Sequence, residues 1–268
     1  MAALAEAGED AKLLAGGQSL IPLMNFRLAR PDIIIDLNLL TAQSFVREED
    51  GWLTVGSMTR QWDVEMSPIV KEICPLVAAA IRQIGHVQIR TRGTVGGSLA
   101  HADPSAELPA VALALGAQIE AHSARGSRWI DSGEFFLGPF WTALAADEIL
   151  TSIRIPRLQG WRTAFVEFAR RAGDFGLAGV AIAAEPGSDP RTVVDLRIGA
   201  LGVGPTPLRL IGVEQFMRGK DLSDKTLDVA SRLASEEVDP PDDIHADAGY
   251  RRKLVGHLVR QALQQVAT

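Results

Sequence analysis

The apolar positions of this chain change period several times. Residues 2 to 8 are alanine-rich and favour helix, and Lys12–Ala15 suits a short strand. Ser19–Ala29 reads as a helix that tolerates Pro22 in its first turn, and Ile33–Leu37 is a β-branched run fit for a buried strand. Strand, glycine-bearing loop, helix and strand predict a small α/β unit. Ser44–Val46 and Trp52–Val55 flank Glu48-Glu49-Asp50-Gly51 as a hairpin. Residues 60 to 84 read as helices broken near Ser67-Pro68 and Cys74-Pro75. Glu107–Leu115 is helical and stops at Gly116. Gln118–His122 and Arg128–Ile130 form a second hairpin around Ser123–Gly126, and Glu148–Ile155 makes a strand that closes at Pro156.

Pro156-Arg157-Leu158-Gln159-Gly160 marks a boundary, which divides the chain into 1–156 and 161–268. Beyond it Thr163–Ala169, Leu177–Ala184, Val193–Ala200 and Thr206–Leu210 read as strands of an antiparallel sheet. Helical patterns follow at Val213–Met217, Asp224–Glu236 and Ala246–Val266, the last amphipathic and expected to pack within its own lobe. Strands followed by helices predict an α+β arrangement.

Composition narrows the function. The charge balance, 27 − 33 = −6, argues against a general nucleic-acid or anionic-membrane surface. No apolar run approaches the roughly 20 residues of a membrane span. The opening MAALAEAGEDA lacks the basic region and apolar core of a signal peptide, so the cytoplasm is the expected location. A single cysteine, Cys74, rules out an internal disulfide and a thiolate-ligated cluster, and reads as a buried thiol. The five histidines show no HxxxH spacing, so no metal site is expected.

Two glycine clusters stand out: Ala15-Gly16-Gly17-Gln18-Ser19, and TRGTVGGSLAHADPSAELP at 91–109. The second lies in a stretch, Gly85–Pro104, that carries four glycines and two histidines; Gly96-Gly97-Ser98 is expected to precede a polar loop and then a helix. Each cluster alone is explained by a tight turn as well as by a loop on which a ligand lies. Neither is GxGxxG or a P-loop. As a pair they could cradle the two ends of a pyrophosphate through inward-pointing amides. His101 and Asp103 could meet a sugar or a base, or merely build a turn. Glu107 could accept from hydroxyl groups, or simply favour a helix N-terminus.

AKLLAGGQSLIPLMNFRLARPDIIIDLN, TRGTVGGSLAHADPSAELPAVALALGA and FVEFARRAGDFGLAGVA occur in this order. With them the chain, from about Ala11 to its end, resembles the FAD-binding medium subunit of molybdenum hydroxylases, the carbon monoxide dehydrogenase and xanthine dehydrogenase family. The resemblance implies an FAD-binding domain of the p-cresol methylhydroxylase (PCMH) type built from two α/β subdomains. A C-terminal antiparallel sheet with helices, like that of the CO dehydrogenase flavoprotein, would follow. It implies non-covalent FAD with Ala15, Gly16, Gly17, Gln18, Ser19 and Leu20 wrapping the pyrophosphate. Thr94, Gly96, Gly97 and Ser98 would hold it from the other side, and Glu107 and Asp103 match polar positions that contact FAD. Ile84 and Leu150 would lie near the ring system, and His101 near the adenosine half. Members begin with a further strand and most of a helix ahead of the position of Ala2, so an edge strand is expected to be missing here.

The same resemblance implies no catalytic triad on this chain. Electrons would come from [2Fe-2S] clusters on a small partner subunit, fed by molybdopterin on a large one, in a dimer of heterotrimers. They would leave for NAD, a quinone or oxygen. Arg170–Phe175 would turn near the flavin, or be a plain charged hairpin end. Glu167 lies near a position where some relatives place a lysine close to the flavin, or it pairs with Arg170 or Arg171. Two other readings are a stand-alone flavoprotein oxidase and a scaffold subunit whose FAD site is lost.

Overall fold

The computed structural model describes residues 2–189 and 191–267. Helix α1 (Ala2–Ala7) leads through a 3-10 turn into β1 (Ala11–Leu14), then α2 (Leu20–Asn25) and β2 (Ile33–Asp36). β1 and β2 pair in parallel, Ala11 opposite Ile33, so the small α/β unit forms as the sequence predicts. Two details differ. Helix α2 stops four residues before Ala29, because Arg27 takes a left-handed φ of 58° and the amides of Leu28 and Ala29 both turn back to the Leu23 carbonyl. Pro31 then needs an extended residue before it. The Ile33–Leu37 run is also not a buried strand: Ile33 and Ile34 stay 45% and 41% exposed, because β2 has β1 as its one partner strand. The unit is held down by Leu4, Ala11 and Leu37 packing on Met58 and Ile149.

β3 (Val46–Glu49) and β4 (Trp52–Gly56) form the first hairpin, with β3 displaced towards the turn relative to Ser44–Val46. Three short helices follow, α3 (Gln61–Met66), α4 (Pro68–Ile73) and α5 (Pro75–Ile81). Each break is local chemistry: Ser67 accepts the Val70 amide as an N-cap, and prolines 68 and 75 open α4 and α5, where a missing N–H costs nothing. The glycine-rich stretch is more helical than expected, with α6 (Val87–Arg90) and α7 (Val95–His101) inside it. Helix α8 (Glu107–Leu115) buries all nine of its residues and ends on left-handed Gly116, φ 63°. A helix apolar on every side must be covered on every side.

β5 (Gln118–Ser123), β6 (Gly126–Asp131), α9 (Ser132–Phe135), β7 (Phe136–Gly138), β8 (Trp141–Thr142) and β9 (Ile149–Pro156) complete this part. The five-stranded sheet runs β3-β4-β9-β5-β6. Its inner face carries Leu53, Val55, Ile119, Ile153 and Ile155. On its outer face the Arg154 guanidinium stacks between Trp52 and Trp129, 4.7 and 4.1 Å from the ring centres.

After residue 160 come β10 (Arg162–Phe168), β11 (Ala178–Pro186), β12 (Val193–Leu201) and β13 (Leu208–Arg209), an antiparallel sheet in sequence order. Helices α10 (Ile211–Met217), α11 (Asp224–Glu237) and α12 (Ala248–Val266) cover one face, packing on Val180, Ile182, Leu196 and Ile198. The other face meets the preceding part: Ala181 and Ala183 belong to the same core cluster as Leu76, Ile81, Val111 and Leu115. Gly199 makes this contact possible, since a Cβ there would reach within 2.9 Å of the Ala110 carbonyl carbon. The architecture is α+β, as expected, with α8 wedged between the two sheets.

Candidate functional site

The first glycine loop lies between β1 and α2, with every residue from Leu13 to Leu20 half-buried. Gly17 takes φ 72°, a conformation that a Cβ would penalise, and its carbonyl accepts the Ile21 amide to start α2. The Gln18 side chain folds back onto the Gly16 carbonyl at 3.1 Å. Among the described residues, no acceptor meets the backbone N–H of Gly16, Gly17, Gln18, Ser19 or Leu20. Five successive half-buried amides without partners are a strong departure from normal backbone pairing. Such a run suits an anion, which would accept from several amides at once.

The second cluster is built differently. Thr94 is the N-cap of α7 and accepts the Gly97 amide at 3.0 Å, so Gly96-Gly97-Ser98 is the first turn of a helix rather than a loop ahead of one. Its amides are committed: Val95 donates to the Thr59 carbonyl, Gly96 to Ser57, and Ser98 to Thr94. Among the described residues the amides of the first cluster are therefore free of acceptors, whereas those of the second are committed within the fold. What α7 can still offer is hydroxyl groups. Thr94 keeps its own hydrogen, and the half-buried Ser98 hydroxyl has no partner among the described residues.

Glycine here serves close packing. A Cβ on Gly96 would stand 2.8 Å from the Ser57 Cα, and one on Gly97 would stand 2.7 Å from the Thr94 hydroxyl oxygen and 3.5 Å from the Ala15 Cβ. A Cβ on Gly16 would stand 2.7 Å from the Gly93 Cα. Seventy-odd residues apart in sequence, the two clusters are therefore packed against each other. Sequence reasoning passed over the clasp that joins them. Arg60 donates to the Arg92 carbonyl at 2.5 Å and to the Asn38 side-chain oxygen at 2.8 Å. Asn38 donates in turn to the Ala15 carbonyl at 3.0 Å and to Asp36 at 2.6 Å. The Asn38 hydrogen bonds hold the Asp36 carboxyl below the usual carboxylate range, with Arg60 adding to the effect. Charged or amide side chains at a strand end and a helix start were the available signal.

The remaining expected residues separate into groups. His101 closes α7, its ring 5.0 Å from Phe140, and burial lowers its pKa although Asp103 opposes that. Asp103 accepts the Ser105 amide at 2.8 Å, making the turn that launches α8. Ile84 is half-buried in a turn held by Arg90, which donates to the carbonyls of Ile84 and Gly85 and pairs with buried Glu65 at 2.9 Å. Leu150 sits within the core cluster, 5% exposed. Cys74 is buried, its thiol pushed up to about 12 by burial.

Glu107 and Glu167, from the two parts of the chain, are both largely buried carboxyls. Glu107 opens α8 and is 6% exposed; burial pushes its carboxyl up to about 7, with Asp103 adding to the shift. Glu167 lies on β10 and is pushed up to about 8 by burial and by Glu107. It does not pair with Arg170 or Arg171; one of its oxygens is buried without any partner. Room for it comes from Gly176 and Gly179, whose missing Cβ atoms would stand 2.9 and 3.3 Å from the Glu167 side chain. The 169–177 turn reaches across to the first part, where a Cβ on Gly173 would meet the His86 ring nitrogen at 2.7 Å.

Two family models match nearly the whole chain. The FAD binding domain in molybdopterin dehydrogenase covers residues 1–158, and the CO dehydrogenase flavoprotein C-terminal domain covers residues 163–266. The chain is 42% identical over 256 residues to the nicotine 6-hydroxylase medium subunit of Paenarthrobacter nicotinovorans, spanning 95% of this chain and 89% of that protein. Carbon monoxide dehydrogenase from Hydrogenophaga pseudoflava, in a form lacking the Mo-pyranopterin moiety of its cofactor, matches with a TM-score of 0.95 at 36% identity, over 99% of this chain and 92% of that one. Quinoline 2-oxidoreductase from Pseudomonas putida 86 matches with a TM-score of 0.94 at 32% identity, over 99% and 92% of the two chains.

Proposed function

The chain belongs to the FAD-binding medium subunits of the molybdenum hydroxylases, and from that membership we propose that it relays electrons from a partner's iron–sulfur clusters to an external acceptor. The observation that carries the site assignment is the run of five unpaired amides from Gly16 to Leu20, the shape and polarity a pyrophosphate needs. Bound FAD would supply the redox chemistry; the chain supplies position and electrostatics.

In this reading Ala15 to Leu20 wrap the pyrophosphate, and the Thr94 and Ser98 hydroxyls donate from α7. Gly96 and Gly97 let α7 approach closely enough to do so. The Arg60–Asn38 clasp keeps the two sides at fixed separation. Ile84, His101, Asp103, Glu107 and Leu150 complete the proposed contact set. The FAD-binding domain ends at 156 and the C-terminal domain begins at 161; the separate cluster beneath α10, α11 and α12 supports that division. The proposal includes a cytoplasmic location, which cell fractionation tests.

The partners in this reading are a small [2Fe-2S] subunit and a large molybdopterin subunit, assembled as a dimer of heterotrimers. The medium-subunit naming of a relative supports this. So does the single cysteine, which leaves cluster ligation to another chain. The acceptor is NAD, a quinone or oxygen.

Adding FAD to the purified chain tests the site. One flavin per chain should survive gel filtration with its fluorescence quenched, and acid precipitation should release all of it. A chain that stays colourless with FAD in excess would leave the scaffold reading standing. Flavin that stays in the acid pellet would favour a covalent oxidase. The relay is tested by co-expression with the two partner subunits: substrate should reduce clusters and flavin together. Cluster reduction without flavin reduction would end the relay proposal.

A further inference from the structure

Arg251, in the first turn of α12, is 4% exposed and ties three segments together. One arm of its guanidinium donates to two backbone carbonyls, that of Leu177 just ahead of β11 and that of Gly202 just past β12, the latter at 3.2 Å. The other arm donates to the Asp243 carboxylate at 2.6 Å. Asp243 is fixed in turn by the amides of His245 and Ala246, at 2.8 and 2.9 Å. The Arg251 Nε is buried without a partner among the described residues. The guanidinium therefore sits where the two carbonyls need it rather than where all its own donors are met.

The tie continues beyond the C-terminal sheet. The Gly202 amide donates to the Pro104 carbonyl at 2.9 Å, in the turn between α7 and α8. In that turn the Asp103 side chain accepts the Ser105 amide at 2.8 Å, and the Asp103 carbonyl accepts the Ala106 amide at 3.0 Å. Gly202 takes a left-handed φ of 72°, and a Cβ on it would stand 2.6 Å from the Leu177 carbonyl oxygen. Glycine has the freest backbone of any residue. Here its carbonyl is held by Arg251 while its amide holds Pro104.

We propose that Arg251 is a positioning residue for the cofactor site: through Gly202 it sets the turn that carries Asp103, so a helix near the C-terminus completes a site whose contacts lie in the first part of the chain. This rests on the FAD reading above, in which His101 and Asp103 on either side of Ala102 contact the cofactor. Without the guanidinium Gly202 is free to swing, and the hold on Pro104 goes with it. Lysine keeps the charge, but one ammonium on a flexible stem cannot hold two carbonyls and a carboxylate in the arginine's geometry.

The tie is tested on the FAD-free chain. In Arg251→Lys, amide hydrogen exchange should speed up at Gly202, Ser105 and Ala106, while β4 and β9 keep their native protection. Unchanged exchange at those three amides would overturn the tie. The cofactor link has its own measurement. FAD affinity should fall about tenfold in Arg251→Lys, the scale of one lost charge-assisted hydrogen bond. In an Asp103→Asn background the same substitution should change affinity by less than about threefold, because the contact it positions is already weakened. Native affinity in Arg251→Lys, or equal losses in both backgrounds, would overturn the positioning role. If Arg251→Lys does not fold, Asp243→Asn serves both measurements: its side chain is 38% exposed and it releases one arm of the guanidinium, so smaller changes are expected at the same amides and in FAD affinity, and no change in either would overturn the proposal. A native chain that binds no FAD would overturn the FAD reading, while the exchange rates still decide the tie.

Discussion

Gly16 lies directly against the Arg92–Gly93 peptide, so closely that a single added methyl group would overlap it. Gly16 is therefore where the turn that leads into the second cluster docks. Gly16→Ala should force the two apart. FAD affinity should fall tenfold or more, about 1.4 kcal/mol, while the far-UV spectrum stays native. Titration by flavin fluorescence quenching checks this; unchanged affinity would show that the spacing of the clusters is unimportant to binding.

Thr94 accepts the Gly97 amide, and its loss uncovers the start of α7. Thr94→Ala should cost about 1 kcal/mol, which for a chain of this size lowers the unfolding midpoint by roughly 2–4 °C. Thr94→Ser should restore it. Gly97→Val should do worse, because its branched side chain would be driven into the Thr94 hydroxyl. Calorimetry of the three variants orders these effects.

Arg60 is the keystone of the clasp between Ala15 and Arg92, through Asn38. Arg60→Ala should weaken FAD binding several-fold with little change in unfolding midpoint, since its hydrogen bonds are made at the surface. Arg60→Lys reaches one acceptor and not both, so it should recover only part of the affinity. Equal losses of stability and affinity would mark Arg60 as merely structural.

Gly199 lets β12 touch α8 at Ala110. Gly199→Val should destabilise the chain by about 1–3 kcal/mol through overpacking, and partial proteolysis should then separate fragments near residue 160. A native-like unfolding midpoint would refute the close approach.

Glu148 responds to acid. The Arg128 side chain, at 2.7 Å, together with the Ala145 amide holds its carboxyl down to about 2 against the opposing effect of burial. A depressed carboxyl contributes stability that is complete above its unfolded value, 4.5, and is lost as pH falls through about 2. Glu148→Gln should be less stable at pH 7 and should lose less between pH 4.5 and pH 2. Acid unfolding curves of the two proteins should therefore converge.

Local signals were legible wherever a short stretch settles its own geometry. The Ser67 cap and prolines 68 and 75 break the helices where the sequence predicts, and Gly116 stops α8. The run Glu107–Leu115 reads as a helix and is one. By contrast, Ile33–Leu37 reads as buried and is half open, because burial depends on how many strands join a sheet and no residue encodes that locally. The second glycine cluster reads as a loop and is a helix start, because Ser57 and Thr59, far away in sequence, take its amides.

The sequence by itself determined the strand–loop–helix–strand unit, the α+β order of elements and the family through its two glycine clusters. Only the tertiary structure decided which cluster keeps free amides, how Arg60 joins the two, and that Glu167 is buried with an unpaired oxygen rather than bound to an arginine. The reason is common to all three. Hydrogen-bond partners and neighbours are chosen by distances in space, and here the hydrogen bonds that decide the site join residues 22 to 39 positions apart.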